Sequence, residues 1–224
     1  MPLLSVIVPA YNEAQTIRQI IEKIAAVDID KEIIAIDNGS TDETGKILRD
    51  LKINNLKVIH HTTNRGKGSA VLTGITHAKG DFLLIQDADL EYDPDDYPRL
   101  IDPLLNNKAD MVLGARFVAG YHGLFLHRLG NRFLTSFLNF LFSVNLNDFA
   151  TCYKVARRDI FRALDLKAAG FDIEVEIVCN ALKHKLRLME VPVSYYPRNY
   201  SEGKKIRWGD GIWVMFSMLK CRFK

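Results

Sequence analysis

The sequence predicts an α/β fold, a mostly parallel twisted central sheet flanked by helices, and two observations carry that expectation. Short apolar, β-branched runs alternate with helix-period segments through the first half of the chain, the pattern of successive βαβ units. Polar and glycine-bearing clusters follow three of those runs, at 37–40, 64–68 and 87–89, where ligands of open α/β sheets bind beyond the carboxyl ends of strands.

The elements follow in order. Residues 4–8 read as the first strand, closed by Pro9. A helix is expected from residue 13, with Asn12 as N-cap, Gln15 three positions on, and Ile17, Ile20, Ile21 and Ile24 on one face. Residues 32–36 form the second strand, and 37–40 turn into a helix for which Ser40 and Glu43 make a capping box. Strand 56–59, helix 67–78 and strand 81–85 come next, then a helix near 95–105 and a strand at 111–114. The pattern then changes to a Phe- and Leu-rich stretch, 123–144, with Arg128 and Arg132 one helical turn apart. Strand 151–155, helix 174–183 and strand 187–191 complete the body. With no repeat, linker or low-complexity segment, the chain reads as one domain, 1–197, and a basic and aromatic C-terminal segment, 198–224.

Composition excludes several classes. The 224 residues are 48% hydrophobic and 25% charged, values of a folded protein rather than a disordered or fibrous one. A formal charge of +3 is too small to argue for nucleic acid. Cys152, Cys179 and Cys221 are scattered, with no metal-ligand spacing, which suits a reducing compartment. The N-terminus lacks the basic and long apolar regions of a signal peptide, and no apolar run reaches the roughly 18–20 residues that span a bilayer. Any membrane contact is therefore expected to be peripheral, from the cytoplasmic side.

Chemistry concentrates at the strand ends. In Asp87-Ala88-Asp89 the two carboxylates lie at i and i+2, so extended chain points both one way, and Glu91 continues the parity. Such hard oxygen ligands suit Mg²⁺ or Mn²⁺ bridging the phosphates of a nucleotide; an acidic turn capping the helix after Pro94 is the alternative. Asp37 and Asn38 end the second strand, where they can accept hydrogen bonds from a base or ribose, or simply make a turn and helix cap. In Asn64-Arg65-Gly66-Lys67-Gly68 the glycines permit close backbone approach and Lys67 can touch phosphate, but the spacing is that of neither a P-loop nor a dinucleotide fingerprint.

Three segments in order, Ser5 through Glu13, Asp37 through Asp42, and Asp87-Ala88-Asp89, resemble glycosyltransferase family 2. The second half is similar to its dolichol-phosphate mannosyltransferase branch in Gly114 through Phe117, Arg132 through Ser136, Asp148 through Tyr153, Pro197-Arg198 and Gly203-Lys204-Lys205-Ile206. The resemblance implies a GT-A type nucleotide-binding fold with interface helices, a nucleotide-sugar donor, inverting transfer and a polyprenyl phosphate acceptor. By motif match, Pro9, Tyr11, Glu13 and Asp37 line the nucleoside pocket, and Asp87, Asp89 and Glu91 hold the metal. Arg116, Arg132, Ser136 and Arg198, with Lys204, bind donor and acceptor phosphates. Two departures stand out: Asn38 replaces the usual second Asp and suits uracil better than guanine, and Glu91 takes a position often held by Gln.

The residues agree with such an acceptor. A lipid phosphate is already an anion and needs cationic positioning more than a base, and arginines supply bidentate phosphate contacts. Asp148 can orient one of these cations, act as a base, or make structural hydrogen bonds. Phe125, Phe133, Phe137, Phe140 and Phe142, with Trp213 and Phe216 beside Lys220, Arg222 and Lys224, fit interfacial helices on anionic lipid; a buried helix or a dimer contact explains the Phe stripe too. A homodimer or a membrane-subunit partner is compatible with the same residues. The alternatives are a family 2 enzyme using a UDP-sugar with a lipid, polysaccharide or protein acceptor, a sugar nucleotidyltransferase, and a non-catalytic nucleotide-sugar-binding module.

Overall fold

The structure, a computed structural model, describes residues 3–117, 125–198 and 210–223. Seven strands form one sheet in the order β3-β2-β1-β4-β6-β5-β7. Strands β1 (Leu4–Ala10), β2 (Lys31–Asp37), β3 (Leu56–His60) and β4 (Phe82–Ile85) run parallel. β6 (Lys154–Arg157) runs antiparallel to both its neighbours, β4 and β5 (Met111–Ala115), and β7 (Leu188–Pro192) pairs parallel with β5 at the edge. β1 and β4 are buried at almost every position, as strands covered by helices on both faces must be, which is why they read as continuous apolar runs.

Helix α1 (Ile17–Ala26) buries Ile17, Ile20, Ile21 and Ile24, the stripe its period predicts. It starts later than expected, and Asn12 does not cap it. Asn12 sits at φ +52° and its carboxamide oxygen accepts from Thr41 N at 2.8 Å, while Ser40 Oγ accepts from Asn12 N at 3.0 Å. That cross-link between the β1 and β2 exit loops also takes Ser40 out of its capping box. Helix α2 (Thr44–Asp50) instead finds Asp42 Oδ1 accepting from Thr44 N at 2.9 Å.

Helix α3 (Lys67–His77) lies on β1 and β2, and α4 (Tyr97–Leu105) follows a 3-10 turn at Pro94–Asp96. Beyond β5 comes α5 (Phe125–Phe142), within the Phe-rich stretch. β6 begins three residues after its expected start, because Cys152 N is drawn to the Tyr92 hydroxyl at 3.0 Å rather than to a neighbouring strand. The short α6 (Arg158–Ala163) was not legible in the sequence, whereas α7 (Ile173–Lys183) lies where expected. The terminal helix α8 (Asp210–Phe223) packs against α5 and α7, with Met218 fully buried. Among the described residues no helix is long and apolar enough to cross a membrane.

Candidate active site

The strands β1, β2 and β4 end side by side, and the order reverses at β1, whose neighbours β2 and β4 lie on either side of it. A crevice at such a switch point receives ligands. Asp37 closes β2 with its carboxylate buried: Oδ1 accepts from Ser40 N at 3.0 Å and Oδ2 meets His60 Nδ1 at 3.0 Å. Asn38 beside it is turned inward. Its amide nitrogen donates to Asn64 Oδ1 and to the Gly66 carbonyl, both at 3.0 Å, and its oxygen bonds His61 Nδ1 at 2.8 Å and accepts from Arg65 N at 3.1 Å. Asn38 thus fixes the β3-to-α3 loop, and its hydrogen-bonding capacity is filled by the chain. Pro9 lies within β1 opposite Ile36, with half-buried Tyr11 just beyond the strand.

β4 delivers Gln86-Asp87-Ala88-Asp89 into the same crevice. Gln86 is fully buried, its side-chain oxygen accepting from the hydroxyls of Tyr97 and Tyr153, each at 2.7 Å, while its nitrogen donates to the Asp87 carbonyl at 2.9 Å. This arrangement locks the backbone from which the two aspartates project. Ala88 is buried between them. Asp89 Oδ2 accepts from Arg198 Nη2 at 2.8 Å, and the next residue, Leu90, takes φ +63°. Burial, then the nearby carboxylates of Asp87 and Glu91, push the Asp89 carboxyl up to about 7 against the pull of Arg198.

Glu91 is engaged on its other side. Its oxygens accept from the Tyr195 hydroxyl at 2.7 Å and from Arg198 N at 2.8 Å, which straps the segment after β7 onto the crevice. Arg198 also reaches Glu13, whose Oε2 accepts from Nη1 at 3.1 Å; among the described residues the buried Arg198 Nε has no acceptor. Among the described residues no three His, Cys, Asp or Glu side chains are grouped to hold one ion. The aspartate pair is the part that fits a divalent cation: it offers hard oxygens, and Mg²⁺ in particular is commonly held by one or two carboxylates with phosphates completing its shell.

Lys67, at the start of α3, lies between two carboxylates, 2.6 Å from Asp87 Oδ1 and 2.8 Å from Glu174 Oε1. Glu174 on α7 also takes the fully buried Lys154 of β6. The glycines flanking Lys67 admit backbone, though from this chain itself: a Cβ at Gly68 would stand 2.0 Å from the Ala168 carbonyl oxygen, and one at Gly66 2.3 Å from that of Ala169.

Arg116 leaves β5 and is held by Asp148, with Nε to Oδ2 and Nη2 to Oδ1 both at 2.7 Å. Asp148 is fully buried and therefore orients this guanidinium. Next to it a cavity of about 330 Å³ is lined by Phe117, Arg128, Arg132, Thr135, Ser136 and Asn147, among others. Thr135 Oγ1 is buried there without a partner among the described residues. Arg132 and Ser136 thus share one polar cavity, whereas Lys204 lies outside the described residues.

The family model described as glycosyl transferase family 2 matches residues 5–165, which contain both strand-end aspartate clusters. The chain belongs to glycosyltransferase family 2. Among its family 2 relatives, the low-salt glycan biosynthesis hexosyltransferase Agl6 of Haloferax volcanii is 29% identical over 88% of this chain and 48% of its own length. The chain thus spans about half of that relative. The polyprenol monophosphomannose synthase of Mycolicibacterium smegmatis is 27% identical over 89% of this chain and 79% of its own. The glucosyl-3-phosphoglycerate synthase of Mycobacterium tuberculosis, solved with Mn²⁺, uridine diphosphate and phosphoglyceric acid, superposes with a TM-score of 0.78 at 20% identity, covering 99% of this chain and 79% of that one. The fold is accordingly of the GT-A type, with the mostly parallel central sheet and flanking helices that the resemblance implied.

The structure brings Glu13, Lys67, Asp87, Asp89, Glu91 and Arg198 together, and sets Arg132 and Ser136 in a separate cavity beyond Arg116. Sequence reasoning passed over Glu174, Lys154, Gln86 and Tyr195. Of these only Glu174 carried a signal, as one of two acidic residues, with Glu176, in the first turn of a largely apolar helix.

Proposed function

We propose that this chain transfers a hexose, mannose in the first instance, from a nucleoside diphosphate sugar to a polyprenyl phosphate, with inversion, at the cytoplasmic face of a membrane. The observation that carries the reading is Arg198: its guanidinium bonds Asp89 and Glu13, and its buried Nε lacks an acceptor, which a phosphate oxygen would supply. Asp87 and Asp89 would hold Mg²⁺ or Mn²⁺, whose chemistry is to neutralise charge on the departing diphosphate.

Arg132, Ser136 and Arg128 line the cavity that would receive the acceptor phosphate, and Arg116 is held rigid by Asp148 at its side. One acceptor oxygen forms the new bond at the anomeric carbon as the bond to the diphosphate breaks on the opposite face. The acceptor arrives ionised, so no proton needs removing, and the commitment of Asp148 to Arg116 agrees with a site built without a base.

A lipid acceptor is supported by the outward faces of α5 and α8. Phe140 is 81% and Trp213 74% exposed, with Phe133, Phe216 and Phe223 also exposed, and Arg222 anchors α8 to the Leu141 carbonyl of α5 at 3.0 Å. Aromatic side chains on helices bearing Lys220 and Arg222 suit the interface of an anionic bilayer. A second reading keeps the site and changes the donor: a UDP-sugar, in keeping with the uridine diphosphate held by the M. tuberculosis synthase, with a phosphorylated acceptor in the same cavity.

The test is transfer of labelled sugar from GDP-mannose, UDP-glucose or UDP-N-acetylglucosamine, with Mn²⁺, to dolichyl phosphate, undecaprenyl phosphate or 3-phosphoglycerate. Label entering the organic phase from GDP-mannose is the expected result. Organic label from a UDP-sugar alone selects the second donor, and label confined to water with every lipid removes the lipid acceptor.

A further inference from the structure

Each aspartate of the pair is matched by a cation of the chain itself, and each of those cations has a second carboxylate. Lys67 Nζ lies 2.6 Å from Asp87 and 2.8 Å from Glu174, and Arg198 lies 2.8 Å from Asp89 and 3.1 Å from Glu13. The glutamates have supports outside the pair: Glu174 takes Lys154, and Glu13 Oε2 accepts from Thr16 Oγ1 at 3.1 Å. Lys67, Asp87, Arg198 and Asp89 are between 11% and 25% exposed, so solvent screens these pairs less than surface ones. A cation held this way can leave its aspartate and stay paired with its glutamate.

We propose that Lys67 and Arg198 are exchangeable counter-ions of the aspartate pair, so that a divalent cation binds there as a unit with a nucleoside diphosphate and only weakly alone. A lone Mn²⁺ has to break both ion pairs to reach the aspartates, and the displaced cations gain nothing in exchange. A diphosphate entering with it gives Lys67 and Arg198 new anionic oxygens as they move, including an acceptor for the orphaned Arg198 Nε. The two ligands therefore assist each other, and by linkage each raises the other's affinity by the same factor. This inference rests on the donor-site reading above and adds to it the coupling between the two ligands that fill the site.

The test is the free Mn²⁺ signal in electron paramagnetic resonance, titrated on the full chain with Mn²⁺ alone, Mn²⁺ with GDP, and Mn²⁺ with UDP. Corrected for Mn²⁺ held by free nucleotide, the affinity is expected to rise at least fivefold with one of the nucleotides, the lower end of ordinary coupling between sites, about 5- to 150-fold. In Arg198→Gln the affinity for Mn²⁺ alone is expected to tighten and the dependence on nucleotide to shrink. Equal affinity with and without nucleotide in the unaltered chain overturns the inference while leaving the donor site standing. Binding in none of the three titrations removes the donor site itself, and the inference with it. The unaltered chain decides the matter if Arg198→Gln does not fold.

Discussion

Arg198 and Asp89, 109 positions apart in the chain, are joined by a 2.8 Å bond that closes one side of the crevice. The first prediction concerns that closure. Arg198→Ala removes the cation that opposes burial and the carboxylates of Asp87 and Glu91 at Asp89 and, on the proposed reading, a phosphate contact as well. Loss of a charged hydrogen bond made to a reacting phosphate is expected to lower kcat/KM by roughly 10²–10³-fold, in the range of transition-state contacts. Unchanged kcat/KM with the preferred donor would place Arg198 outside the reaction.

Glu174→Gln addresses the buried charges beneath Asp87. Burial pushes the Glu174 carboxyl up, but Lys154 and Lys67 outweigh it and hold the group below its ordinary value of 4.5. A carboxyl depressed by folding contributes stability that is complete above its unfolded pKa and is lost as pH falls through the folded one. The variant leaves two lysines short of a partner and is expected to lose about 3–5 kcal/mol at neutral pH. That gap should begin to narrow below about pH 4.5, where the unfolded chain takes up its proton, and go on narrowing as pH falls toward the lower folded value. Denaturant unfolding at pH 7 and pH 4 measures it, and a gap independent of pH would contradict the assignment.

Thr135→Val separates stability from binding. The hydroxyl is buried without a partner, so replacing it by a methyl is expected to leave the urea midpoint unchanged or raise stability by about 1 kcal/mol. If the cavity takes the acceptor phosphate, the same substitution raises the acceptor KM several-fold and leaves the donor KM alone. A drop in stability would show that the hydroxyl has a partner in solution.

Gly68→Ala tests the docking of α3. The added Cβ would stand 2.0 Å from the Ala168 carbonyl oxygen and 2.8 Å from the carbonyl carbon of Ala168 and from that of Ala169, and backbone cannot swing aside as a side chain can. A cost of about 1–3 kcal/mol in unfolding free energy is expected, with Lys67 drawn off Asp87 and the donor KM raised. Full stability in thermal and urea unfolding would rule the contact out.

Trp213→Ser with Phe216→Ser addresses the outward face of α8. Both side chains are exposed, so the double variant is expected to unfold at the same denaturant concentration. Sedimentation with vesicles containing anionic lipid should fall several-fold, since each aromatic contributes apolar area to the interface. Equal sedimentation of both proteins would detach this helix from the membrane argument.

The sheet was readable where burial is symmetrical. β1, β2 and β4 announce themselves because helices cover both faces, leaving unbroken apolar runs. Although the extended parity expected of Asp87 and Asp89 does not hold, since residues 88–89 form a turn and Leu90 takes φ +63°, both stand out as carboxylates at a strand end. Their partners do not: Glu174 lies on another helix, and Tyr195 meets Glu91 across 104 positions, a pairing that no local period encodes. Asn12 and Ser40 misled for a related reason. Each has the chemistry of a helix cap, and each is bonded to a loop that only the folded sheet brings near.

The reversal of β6 has a consequence for how the molecule tolerates change. Where a parallel neighbour of β4 would present its outgoing loop, β6 presents its incoming one, and Cys152 receives a bond from Asp87 N at 3.1 Å as the chain enters that strand. A segment that arrives after the long α5 excursion is thereby wired to the backbone of the aspartates. Sequence drift around 151–154 should be felt as altered catalysis long before it is felt as a loosened sheet.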